Sequence, residues 1–366
     1  MSERLCWENY LKKIFMADNR NSYSSILKAI GLFGGVKVFQ IFVGILKNKF
    51  VAVLLGPVGM GIAGMITSST SMVSTFTGFG LSTSSVRDIS AAHASCDQRR
   101  IGRIVAVLRK LVWATGILGI ILTIWLAKQL SIWSFGNEDY TVAFIFVSII
   151  LLLDQLCIGQ TALMQGTFHY RYLASASLWG SVAGLIVSIP LYYIWGVKAI
   201  VPVIIITSIA NLALSAFYSR KIPLPKEKIT FKDILTDGRT MIVLGVALAL
   251  TATFRLGGSY LQRIFISNIG SIEDVGLFLA GSAVATQYMD IILNAMSTDY
   301  APRLSAIADD NDLFVETINR QAKLMVTIVV PLIVVFILFV REMIIILYSS
   351  KFLGIIGMIE WMMFAM

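Results

Sequence analysis

Apolar stretches of about 20 residues, each long enough to cross a bilayer core, recur along nearly the whole of this 366-residue chain. Such stretches leave little room for anything but spanning helices. Composition agrees: 57% of residues are hydrophobic, only 14% are charged, and mean hydropathy is +0.80. A soluble domain carries roughly 25% charged residues, so this chain lacks the polar surface to coat itself in water. The expected fold class is an all-α polytopic membrane protein.

Spans are expected at 24–46, 51–80, 103–127, 141–165, 172–195, 199–219, 240–266, 274–300 and 320–347, with a tenth opening near 352. Before them, Trp7, Leu11, Ile14 and Phe15 share a helical face beside Lys12 and Lys13. That pattern suits an amphipathic segment lying on the anionic cytoplasmic leaflet. Lys and Arg crowd the connections on the N-terminal side of the membrane, from Arg4 to Arg20, Arg87 to Lys110 and Arg220 to Arg239. The positive-inside rule therefore puts the N-terminus in the cytoplasm. This topogenic signal accounts for most of the net charge of +9, and no nucleic-acid partner is expected.

Residues 59–64 read GMGIAG, a G-x-G-x-x-G that would suggest a dinucleotide if a strand and a soluble helix flanked it. They do not. The chain repeats itself instead, with GPVGMGIAGM…GFGLSTSSVRDIS aligning on SIEDVGLFLAGSAV…STDYAPRLSAIAD. Gly59 matches Gly276, Gly64 matches Gly281 and Arg87 matches Arg303, while Phe278 replaces Gly61. The nucleotide fingerprint is lost and the small residues at a helix start remain, so GMGIAG is read as a packing motif. The offset spans six helices, which makes this a parallel repeat of two bundles, as in secondary transporters. The expected organisation is an N-terminal cytosolic segment (1–23), a six-helix bundle (24–222), a basic linker (223–239) and a second bundle (240–366). By the same arithmetic a full pair of bundles has twelve helices, of which nine or ten are expected here, the second bundle being incomplete.

Ionisable groups inside a membrane cost at least ~2.5–3.5 kcal/mol each, so they usually face a cavity. Lys37 lies in the first span with Lys47 just past its outer end, Arg255 and Arg263 lie in the seventh, and the repeat makes Lys37 and Arg255 near-equivalents, with Lys47 a rough counterpart of Arg263. Facing cations suit an anionic head group. Snorkelling, or pairing with helix carboxylates, is the other reading. Asp154, Asp290 and Glu360 either exchange H+ or Na+ or neutralise those cations; Asp290, with Asn294 one turn on, is the first coupling candidate and Asp154 the next. Gln155 and Gln160 give the fourth span a polarity suited to sugar hydroxyls, or to hydrogen bonds between helices. Cys6, Cys96 and Cys157 form no C-x-x-C pair, and His93 and His169 lie in short connections. No metal, cofactor or catalytic constellation is expected beyond the coupling ion.

The run VKVFQIFVGILKNKFVAVLLGPVGMGIAGM, then FGNEDY, SIEDVGLF…PRLSAI and SSKF, resembles the Wzx-type flippases of the polysaccharide transporter family. The likeness runs through nearly the whole chain in order, and LGPVGMG with the PRLS segment is its most specific part. It implies the two-bundle fold that MATE drug exporters share. It also implies a substrate of undecaprenyl diphosphate bearing a short glycan of the O-antigen, common antigen or capsule type. Alternating access would turn that lipid from the cytoplasmic to the outer leaflet of the inner membrane, with a polysaccharide polymerase and a chain-length regulator as partners. The resemblance carries over Lys37, in the VK of the first span, and Arg263; Arg255 rests on the internal repeat alone. Two other classes stay open. A MATE-like exporter of organic cations would carry more embedded acids than bases. A membrane polymerase or ligase would carry a large outer loop, whereas the longest here, around SIWSFGNEDY, is about a dozen residues.

Overall fold

The computed structural model describes residues 19–95, 97–225, 231–286 and 311–365, with backbone alone at 19–34, 37, 231–237, 240, 311 and 312. The amphipathic segment expected before residue 19, together with Asp290 and Arg303, lies outside the described residues. Every regular element among the described residues is helical, and six stretches are long and apolar enough to cross a membrane.

The first stretch, Asn19–Thr77, is two helices. Gly56, at φ 68°, breaks it into α1 (19–55) and α2 (57–77). The sequence GPVG spells this junction, because glycine alone readily takes φ 68° with ψ −172° and proline opens the next helix. The connection expected at 47–50 is therefore helical, and the break comes later. Lys49 is tolerated there because its ammonium donates to the Ile346 carbonyl.

Then come α3 (Leu81–Ala94), α4 (Gln98–Phe135), α5 (Thr141–Gly166) and α6 (Tyr170–Trp195). A short 3-10 turn leads into α7 (Ile200–Ser219), and α8 runs from Phe231 to Ile269. Helix α9 is described over 272–286. Beyond it lie α10 (Asn311–Leu338), α11 (Val340–Leu347) and α12 (Ile356–Phe364). Two expected boundaries move. The polar segment after residue 80 is the helix α3, and the span expected at 320–347 breaks at Phe339. Helix α4 starts earlier than expected because Asp97 caps it: its Oδ1 accepts from the Arg99 and Arg100 amides, each at 3.0 Å. Such a cap stabilises a helix by about 0.5–2 kcal/mol.

The chain packs as two units. One holds α1 as far as Lys47, then Met65 through Ser271; the other holds Asn48–Gly64 and the chain from Ile272 onward. The core of the first is Leu81 and Ile89 of α3, Ile101 and Leu108 of α4, and Leu163 and Met164 of α5, all essentially inaccessible. Truncating one of these to alanine would cost about 2–5 kcal/mol.

In the second unit the starts of α2 and α9 cross at their glycines. A Cβ on Gly61 would meet the Ile272 carbonyl and, at 3.1 Å, the Gly276 amide; one on Gly276 would meet the Pro57 carbonyl and, at 2.9 Å, the Gly61 amide. No larger residue fits at either place. GMGIAG is the packing motif that the repeat indicated. Beneath this crossing, Ala280, Ile344, Phe352 and Ile359 form a buried cluster, and the Tyr348 hydroxyl donates to the Ala280 carbonyl at 3.2 Å.

Candidate functional site

Between α2 and α3 the chain takes two left-handed residues in a row, Phe79 (φ 46°) and Gly80 (φ 63°). Left-handed backbone costs a non-glycine residue roughly 1–2 kcal/mol, so something outside the turn must hold Phe79 there. Helix α8 does. A Cβ on Gly80 would strike the Gly245 carbonyl, and one on Gly245 would strike the Phe79 carbonyl, so turn and helix touch backbone to backbone.

This pinch leaves a cavity of about 140 Å³ beside it, within the first unit. Ser74 and Thr75 at the end of α2, Ser82 and Thr83 at the start of α3, and Gln155 of α5 supply its polar wall. Leu248, Ala249 and Ala252 of α8 supply the apolar one. Ser82 and Thr83 are exposed and mark its mouth. Gln155 is only 2% exposed, and its Nε2 donates to the Ser74 carbonyl at 3.3 Å. Its Oε1 is buried with no hydrogen-bond partner. An unsatisfied buried carbonyl costs about 1–3 kcal/mol, which a ligand or water donor would recover.

The neighbouring glutamine behaves differently. Gln160 Oε1 accepts from the Ser219 hydroxyl at 2.5 Å, an interhelical bond between α5 and α7. Two more contacts join the same helices: Cys157 Sγ lies 3.4 Å from Ser215 Oγ, and Asp154 lies beside Ser208. Sequence treated Gln155 and Gln160 alike. The structure gives Gln160 a helix-pairing role and leaves Gln155 with spare hydrogen-bonding capacity.

The cations distribute along two helices. Lys37 is at the midpoint of α1, and only its backbone is described. Lys47 is half-buried further along the same helix. Arg255 sits fourteen residues from either end of the apolar stretch Met241–Ile269, on an exposed face of α8. It follows Ala252, the last α8 residue of the cavity wall, by one helical turn. Arg263 lies two turns beyond Arg255, half-buried, with its Nε buried and unpartnered.

Arg263 is flanked on its own helix by a hydroxyl cluster that the sequence reading missed. The buried Tyr260 hydroxyl lies 2.7 Å from Ser134 Oγ, which lies 3.3 Å from Ser69 Oγ. Ser267 Oγ donates to the Ser134 carbonyl at 2.9 Å. Tyr260, Arg263 and Ser267 at i, i+3 and i+7 share one helical face, and that spacing was the available signal.

On the far side of α3, His93 stacks at a tilt on Phe168, ring centroids 5.6 Å apart, with Nδ1 buried and unpartnered. Burial, and secondarily the nearby His169, push its pKa below the ordinary histidine value. Among the described residues no group of His, Cys, Asp or Glu is placed to hold a metal ion.

The family model described as "Polysaccharide biosynthesis protein" matches residues 50–357. The lipid III flippase of Escherichia coli (strain K12) is 22% identical over 329 residues, covering 88% of this chain and 77% of the relative. The lipid III flippase of Shigella flexneri matches to the same extent. Among solved structures, a multidrug resistance MATE family transporter of the MOP superfamily, in its inward-facing conformation, superposes with a TM-score of 0.66 at 16% identity. That match covers 88% of this chain and 75% of the transporter. At that identity the likeness speaks for fold, which is MATE-like.

Proposed function

The chain belongs to the polysaccharide biosynthesis protein family, and from that premise we propose that it is a flippase for a lipid-linked glycan. In this reading it carries undecaprenyl diphosphate bearing an oligosaccharide from the cytoplasmic to the outer leaflet of the inner membrane by alternating access. The N-terminus is cytoplasmic, and H+ or Na+ drives the cycle through Asp290 or Asp154. The bundles run over 24–222 and 240–366, and a polymerase and a chain-length regulator receive the product. Nothing in this task requires a bond to be made or broken.

The observation that carries the reading is the pair of arginines inside one apolar span. A spanning helix that keeps Arg255 at its centre and Arg263 two turns on, with the Arg263 Nε buried and unpartnered, incurs an insertion penalty. A diphosphate repays it through charge-assisted hydrogen bonds. Lys37, midway along α1, is the cation that pairs with Arg255 in this site, and Lys47 lies further along the same helix. The polyprenyl tail can stay in lipid throughout.

The test is complementation. Expressed in a strain lacking its own lipid-linked-glycan flippase, the chain should restore surface glycan. Lys37→Ala with Arg255→Ala should abolish that restoration while the protein still inserts at normal levels. Full surface glycan in the double variant would make both cations structural and move the anion site to Arg263 and Lys47.

A further inference from the structure

Resting on the flippase reading, we propose that the cavity at the α2–α3 break is the subsite for the sugar directly attached to the diphosphate, with Gln155 Oε1 accepting a hydrogen bond from one of its hydroxyls. Four observations carry this assignment. First, the cavity's polar wall consists of hydroxyls and one amide, with no charged side chain among its lining residues. Such a wall suits a neutral polyhydroxyl ligand, because hydroxyls donate and accept at once, and it offers no opposing charge to a phosphate or an organic cation. Second, Gln155 is 2% exposed, is held by the Ser74 carbonyl, and keeps one acceptor unused. Its demand is for a donor, which a sugar hydroxyl supplies.

Third, the size fits. About 140 Å³ holds four or five waters at ~30 Å³ each, the scale of one sugar ring rather than an oligosaccharide. Fourth, the place fits. The cavity's α8 wall ends at Ala252, one turn before Arg255. A lipid-linked glycan has its first sugar bonded directly to the diphosphate, so a sugar pocket one turn, about 5 Å, from a phosphate-binding cation has the required adjacency. The mouth at Ser82 and Thr83 lies on the side of Arg255 toward the start of α8, which the proposed topology makes cytoplasmic, where the substrate is loaded. The pinch of Gly80 on Gly245 fixes the wall, so the pocket is formed before ligand arrives.

The experiment compares two probes on the purified full chain by native mass spectrometry titration: undecaprenyl diphosphate, and undecaprenyl diphosphate carrying one N-acetylglucosamine. Wild type should bind the sugar-bearing lipid more tightly than the bare one. Gln155→Leu should erase that increment, a loss of about fivefold for one hydrogen bond, and leave bare-lipid binding unchanged. Thr83→Trp, at the exposed mouth, blocks the pocket sterically; it should have the same effect and serves alone if Gln155→Leu does not fold. Lys128→Ala, in an exposed ion pair far along α4, should keep the increment. An increment that survives in Gln155→Leu or in Thr83→Trp, or bare-lipid binding with no increment in wild type, overturns the subsite and leaves the flippase reading standing. Binding of neither probe to wild type overturns both.

Discussion

Gly56 and Gly80 both leave the helical region at nearly the same φ, 68° and 63°, but with ψ −172° and 19°, and they do opposite things. A Cβ on Gly56 would meet nothing within 4 Å, so glycine is required there by backbone conformation alone. It turns the chain from one span to the next. Gly80 is required twice, by its conformation and by the Gly245 carbonyl pressed against it. Its turn comes at the end of α2, where hydroxyls and an underused glutamine gather. A glycine at positive φ is thus a hinge between elements when its surroundings are empty and a scaffold when another backbone leans on it.

The comparison can be broken most severely at the pinch. Gly80→Leu combines a forbidden conformation with a backbone collision and should destabilise by about 3–5 kcal/mol, enough to lose the folded protein. Gly245→Leu isolates the collision, since that residue is in ordinary helix, and should cost about 1–3 kcal/mol. Detergent-solubilised yield and monodispersity on size exclusion read both; near-wild-type behaviour of Gly245→Leu would show that the turn does not depend on α8. Gly56→Ala should cost less than Gly80→Leu, about 1–3 kcal/mol from conformation alone, and Gly56→Asn about as much, because φ 68° with ψ −172° lies outside the left-handed helical region that asparagine tolerates. Thermal unfolding followed by fluorescence compares the pair. A Gly56→Ala variant as damaged as Gly80→Leu would erase the distinction between the two turns. The smallest effect belongs to Lys128, whose ammonium lies 2.9 Å from Glu138 with both side chains about 60% exposed. Lys128→Ala should shift stability by at most about 1 kcal/mol, less at high salt.

The sequence made the spans legible because membranes impose one length and one chemistry on them. It also made the glycine packing legible, since the internal repeat kept Gly276 where a nucleotide motif would have needed Gly61's counterpart as well. It misplaced the α1–α2 break because Lys47, Asn48 and Lys49 look like a polar connection. The carbonyl that accommodates Lys49 belongs to Ile346, almost three hundred residues away. The same reason hid the difference between Gln155 and Gln160. Each is a glutamine on α5, and only the helix that faces it decides whether its oxygen meets Ser219 or nothing. The hydroxyl cluster around Tyr260 went unread because its members come from three separate helices.

The crossing of α2 and α9 has a consequence in time. Gly61 and Gly276 are 215 residues apart, and a ribosome adding about 5–20 residues per second needs roughly 10–40 s to cover that distance. For that interval the start of α2 sits in the bilayer with a backbone stripe shaped for a partner not yet made. Either lipid or the insertion machinery shields it, or newly inserted chains pair through it with one another. A crossing that brings two helix backbones into contact in the finished protein is therefore also a point at which its biogenesis is exposed to error.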